Sequence, residues 1–250
     1  YRTDENGEIR IPGLKPGKSV VVTETRAPDG FILDTQSQTV QIKEGRTVSL
    51  TFKNQPKGAL IIQKRDSATG QPLPGAEFRV TTAAGCEVGL DGVIGDSTLT
   101  QNGIFTTDAQ GEIKITNLAP GAYVLTEIKA PTGYVMDSPS TNVVIGQGGD
   151  TQTVIVENSK AGTLVIDKRD SLSGKPLAGV TFRVTTSTGE FVPAENGQIS
   201  SNGLYITDKD GKIVINGVVG TLVVTETKTI PGYTIDEATR TQTVVVNPND

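Results

Sequence analysis

A lysine, a glutamate and an asparagine recur at fixed spacing in this chain, each closing a run of alternating apolar residues. In a strand every second side chain shares a face. Lys64 is thus in phase with Leu60 and Ile62, Glu127 with Tyr123 and Leu125, and Asn158 with Val154 and Val156. The pattern returns with Lys168 behind Leu164 and Ile166, and with Glu226 behind Leu222 and Val224. It returns again with Glu24 behind Val20 and Val22, and with Asn54 behind Val48, Leu50 and Phe52. Three polar groups point where apolar ones belong, and an ionised lysine or glutamate is costly to bury unpaired. One reading is a buried Lys–Glu ion pair with the amide bonded beside it, often no better than apolar packing. The other is a reaction among the three. Burial lowers an amine from its ordinary pKa of roughly 10.4 and raises a carboxyl from roughly 4.3, so the proton passes between them. The neutral amine then attacks the side-chain amide carbon of Asn158. Glu127, protonated, bonds the amide oxygen and relays a proton to departing ammonia. The product is a Lys–Asn isopeptide bond made once per domain, the fold holding the reactants at high effective concentration.

The segments that must position these groups come in copies. "GALIIQKRDSATGQPLPGAEFRVTT" from Gly58 returns as "GTLVIDKRDSLSGKPLAGVTFRVTT" from Gly162, and "FTTDAQGEIKI" at Phe105 echoes "YRTDENGEIRI" at Tyr1 and "YITDKDGKIVI" at Tyr205. Offsets of 104 and 100 residues mark tandem domains, since roughly 100 residues bury a core of their own. The reading divides the chain into 1–57, the C-terminal half of a repeat; 58–160, a complete repeat; and 161–250, a repeat lacking its last strand. Asn247 falls in the turn before that strand and is a poor substitute for the closing asparagine. The window is expected to be cut from a longer repetitive protein.

Composition fixes the class. With 29 Gly, 13 Pro, no His, no Trp and many short Val, Ile and Thr segments, the vocabulary is all-β. A net charge of −5 argues against nucleic acid. No apolar stretch approaches a membrane span. Without histidine a Cys–His nucleophile is excluded, and neither a metal nor a cofactor is expected. Cys86, the single cysteine, sets no disulfide framework.

The ordered motifs "KRD…TGxPLxGxxFxV…TDxxGxIxI…PGxYxxTExxAPxGY…D…VxxxN" resemble the B-type and SpaA-like, prealbumin-like domains of Gram-positive collagen adhesins and pilins. The resemblance spans essentially the whole chain. It implies tandem immunoglobulin-like β-sandwiches in an elongated rod and, at matching positions, an intramolecular isopeptide bond. Lys64, Glu127 and Asn158 form the complete set, whereas Lys168 with Glu226, and Glu24 with Asn54, form partial ones. The third copy departs from the pattern at "NGVVG" from Asn216 and at Thr229 and Ile230, so the turn before its glutamate strand is expected to differ.

The resemblance implies a cell-surface stalk, extracellular or wall-attached, whose partners are its neighbouring repeats. Two further readings stay open. Loops at 191–198 and 86–97 could bind a host matrix protein or glycan. The half-copies could complete one another head to tail between chains, Asn54 reaching Lys168. The "TDAQG" and "APTGY" segments read as turns, and the tyrosine of the latter as core packing.

Overall fold

Runs of β-branched residues broken by Gly and Pro leave strands and turns as the available structure. The computed structural model describes residues 1–89, 92–94, 103–192 and 202–250, and among them are sixteen strands and no helix. Residues 90, 91, 95–97 and 193–198, part of the two loops considered for ligand binding, lie outside the described residues.

In residues 1–57, β1 (Ser19–Val22) and β2 (Gln38–Gln41) form an antiparallel pair. No residue before Gly58 is buried. Between Gly58 and Lys160 eight strands follow: β3 (Gly58–Asp66), β4 (Glu77–Thr82), β5 (Ile104–Thr106), β6 (Glu112–Leu118), β7 (Gly121–Lys129), β8 (Tyr134–Met136), β9 (Ser140–Ile145) and β10 (Thr151–Lys160). They make two four-stranded sheets, β6-β3-β10-β8 and β5-β4-β7-β9. Leu60, Ile62, Phe78, Ile115, Leu125 and Ile145 are among the side chains buried between them.

The first and last strands of this copy, β3 and β10, lie side by side and run parallel, with Val156 opposite Lys64 and Asn158 opposite Asp66. Parallel neighbours need a long crossover, and here the rest of the domain supplies it. Lys64 and Asn158 therefore sit on one sheet, and Glu127, on β7, comes from the sheet facing it.

The third copy contains β11 (Gly162–Asp167), β12 (Thr181–Thr186), β13 (Leu204–Ile206), β14 (Lys212–Val218), β15 (Gly220–Lys228) and β16 (Thr241–Val246). Its sheets are β11-β14 and β13-β12-β15-β16. Among the described residues β11 pairs with β14 alone, where β3 has a neighbour on each side. The turn before the glutamate strand does differ: one residue separates β14 from β15, against two between β6 and β7.

At both joints, the residue before the next opening strand donates its N–H to the glycine carbonyl of the preceding "APxG" turn. Lys57 bonds Gly30 at 2.8 Å and Ala161 bonds Gly133 at 2.9 Å.

The "TDAQG" turn braces the lysine strand. Asp108 accepts the backbone N–H groups of Gln110 and Glu112, and the Gly111 carbonyl accepts the Lys64 N–H at 2.7 Å. Gly111 has φ +71°, and a Cβ there would lie 2.7 Å from the Lys64 carbonyl oxygen and 2.8 Å from the Leu73 nitrogen. Gly70 has nearly the same φ, +70°, with nothing within 4 Å. Gly70→Ala should cost about 1 kcal/mol from left-handed strain, and Gly111→Ala about 3 kcal/mol because overlap adds to it. Urea unfolding of the two variants checks this, and equal losses would show that the turn does not press on Lys64.

Candidate functional site

Strand phase brings the three polar groups of the complete copy together inside the sandwich. Lys64 and Asn158 are fully buried and Glu127 is 3% exposed. Lys64 Nζ lies 3.1 Å from Glu127 Oε2, and Asn158 Nδ2 donates to Glu127 Oε1 at 2.6 Å. The two groups are in direct ion-pair contact, and hydrogen bonding between them opposes the shifts that burial imposes on each.

Desolvation by burial is the largest influence on both charges. It pulls Lys64 below its ordinary value although Glu127 opposes it, and it pushes Glu127 up although Lys64 and Asn158 oppose that. Both shifts favour the neutral amine beside the protonated acid.

One detail differs from the sequence expectation. Glu127 meets the nitrogen of the Asn158 amide, whereas the oxygen, Oδ1, accepts the backbone N–H of Asp137 at 3.4 Å. The carboxyl is thus placed on the nitrogen side of the amide, from which ammonia would leave in the expected reaction. Fixed N–H groups are better suited than a titrating acid to hold the oxygen.

The other copies hold parts of the same arrangement. Lys168 Nζ donates to Glu226 Oε2 at 2.9 Å, but the lysine side chain is 26% exposed and Glu226 Oε1 is buried without a partner. In residues 1–57, Asn54 Nδ2 donates to Glu24 Oε1 at 2.6 Å, Asp34 N–H takes Oε2 at 3.1 Å, and Asn54 Oδ1 is buried without a partner. In the two copies with the asparagine its amide takes Oε1, and in the two copies with the lysine the amine meets Oε2. Asn247 is exposed and bonded to Asp250, away from Glu226.

Sequence reasoning missed the groups around this centre. The tyrosine of "APTGY" is not core packing: Tyr134 is half-buried, and its hydroxyl donates to Asp66 Oδ2 at 2.8 Å. Tyr233, 40% exposed, does the same to Asp170 at 2.9 Å. The spacing from the lysine to "D" two residues on, and to "GY", was visible in both copies but carried no sign of pairing. Cys86 is exposed, and among the described residues no cluster of side chains could hold a metal ion.

Two facing sheets in the complete copy, with its first and last strands parallel neighbours, and a second two-sheet copy after it define a tandem prealbumin-like β-sandwich protein. The chain matches the SpaA prealbumin-like fold domain over residues 1–56, 58–160 and 162–250, and it belongs to that family. Among curated proteins there is no match. A streptococcal ancillary pilin is similar in structure (TM-score 0.51, 20% identity, covering 94% of this chain and 73% of that one) and shares the fold. The Bacillus anthracis TIE protein is 29% identical over 93% of this chain with a TM-score of 0.43, and this chain covers 40% of its length. The shaft pilin SpaA of Lactobacillus rhamnosus GG matches at 15% identity and a TM-score of 0.44, covering 77% of this chain and 94% of that one.

The Asp66–Tyr134 bond ties the end of the lysine strand to the "APTGY" segment, and it generates a pH-dependent expectation. The Tyr134 hydroxyl, helped by the Thr69 backbone, holds the Asp66 carboxyl at about 2, against an ordinary 3.8. A carboxyl lowered in the folded state contributes stability above its unfolded pKa and loses it as pH falls through the folded one. The stability deficit of Tyr134→Phe should therefore be full above pH 3.8 and should close as pH falls to about 2. Chemical denaturation at a series of pH values measures it, and a deficit that does not change with pH would rule the bond out as its source.

Proposed function

We propose that this chain is part of a Gram-positive surface stalk or pilus-like shaft, outside the cell, whose complete domain is locked by a Lys64–Asn158 isopeptide bond. The observation that carries the reading is the convergence of a buried lysine, glutamate and asparagine in direct contact inside one sandwich. Membership of the SpaA prealbumin-like family supports the structural role.

The reaction balances without a cofactor. Lys64 Nζ passes a proton to Glu127 and, neutral, attacks Cγ of Asn158. A bond forms between Nζ and Cγ, the bond from Cγ to Nδ2 breaks, and Glu127 protonates Nδ2 so that ammonia departs. Nζ then gives up a second proton to the carboxylate. One amine and one primary amide become one secondary amide and ammonia, with Glu127 restored as the acid. Each domain acts once on itself, so this is not enzyme turnover.

The strand order gives the bond its mechanical use. Tension along a string of such domains enters β3 at Gly58 and leaves β10 at Lys160. The two strands are parallel, so the load shears their whole ladder at once. A Lys64–Asn158 bond carries that load covalently and bypasses the 93 residues between its ends. Those residues would otherwise release roughly 300 Å of extended chain. The short joints anchored on Gly30 and Gly133 suit a semi-rigid string of domains better than loose beads.

Within these 250 residues the complete copy alone holds all three groups, so the chain should weigh one ammonia less than its sequence. Proteolysis should yield one branched peptide joining Lys64 to Asn158. Glu127→Ala should restore the full mass, and Lys168→Ala should leave the loss unchanged. Intact mass spectrometry decides it: a wild-type chain of full mass, or a Glu127→Ala chain that still loses ammonia, overturns the reading.

A further inference from the structure

Glu127 meets the nitrogen of the Asn158 amide and leaves its oxygen to another donor. Attack by Lys64 turns Cγ tetrahedral and places negative charge on Oδ1. Donors aimed at where such charge develops are a large source of rate in acyl transfer. The Asp137 N–H is aimed there at 3.4 Å, long for a ground-state bond, and closes as the C–O bond lengthens and the oxygen leaves the amide plane.

Resting on the isopeptide reading, we infer that the main-chain N–H of Asp137 is the oxyanion donor of bond formation, and that Ser67 and Ser159 position it. Residues 1–57 supply the comparison. There the equivalent N–H, of Asp34, turns to Glu24 Oε2 at 3.1 Å, the oxygen that faces the lysine in the complete copy, and Asn54 Oδ1 is left unpartnered. A lysine held at Oε2 displaces the N–H onto the amide oxygen, so the amide is polarised only where an amine stands ready to attack it.

The positioning chain is built on the strands that carry the reactants. Ser159, next to Asn158 on β10, donates its hydroxyl to Asp137 Oδ2 at 2.8 Å. Ser67, just beyond β3, shares a hydrogen with Ser159 Oγ at 2.9 Å, and its N–H bonds the Asn158 carbonyl at 3.0 Å. In the third copy the matching Asp236 instead bonds the Ala238 N–H and the Thr239 hydroxyl.

The test removes one hydrogen. The full chain is made by cell-free translation with the α-hydroxy acid analogue of aspartate at position 137, which turns that amide into an ester, and ammonia loss is followed by intact mass. The ester chain should close at least about tenfold more slowly than wild type. An ester at Asp236 should leave the rate unchanged. Closing at the wild-type rate in a folded Asp137 ester chain overturns the inference and leaves the isopeptide reading standing. A wild-type chain that never loses ammonia overturns both. Should the ester chain not fold, Ser159→Ala decides: slower closing, restored by Ser159→Thr, supports the positioned donor, and an unchanged rate overturns it.

Discussion

Desolvation of one lysine and one glutamate, brought together from facing sheets, is the constraint on which the complete domain depends. Each charge is expensive to bury. Removing either partner alone leaves the other uncompensated, at a cost of about 3–5 kcal/mol in comparable buried pairs. The sandwich tolerates the pair because it supplies an amide on one side and excludes water on every other.

The same geometry serves strand pairing and chemistry. The β3–β10 register sets Val156 opposite Lys64, so Asn158 stands one same-face step further along. A lysine side chain is long enough to cross that step, whereas a directly opposed pair would crowd the amide against the strand. Glu127 reaches in from β7 between them. A shift of one residue in the register would send Asn158 to the outer face and end the encounter. The "TDAQG" turn matters for this reason: it fixes the Lys64 backbone on the side of β3 away from β10.

Much of this was legible in the sequence because a strand has a period of two. Lys64, Glu127 and Asn158 each extend an apolar series by one same-face step, and so do their partial counterparts. Their convergence follows once the first and last strands are neighbours. The orientation of the Asn158 amide was not legible, because its oxygen and nitrogen are distinguished by a main-chain N–H, and every residue except proline has one. Nor was the role of Tyr134: an aromatic beside a core reads as packing until the carboxylate under its hydroxyl is seen. Burial in residues 1–57 was also beyond the pattern. Their alternation equals that of the complete copy, yet no residue there is buried as a whole, because alternation names a face and does not supply the sheet that covers it.

The three copies together show which contacts of the site stand without the third group. Glu24 and Asn54 pair without a lysine, and Lys168 and Glu226 pair without an asparagine, so neither contact needs the third group. Lys168 remains partly exposed and Glu226 keeps one oxygen idle, whereas Lys64 is sealed. The last strand is thus what completes the desolvation, by laying β10 beside β3 and its asparagine against Glu127. On the proposed reading, covering the lysine with β10 excludes the water that favours the ammonium and sets the amide beside the amine. The proposed reaction then disposes of the burial cost that triggered it: the amine becomes an amide nitrogen, the carboxyl stays a neutral acid, and the core is left with no charge to hold.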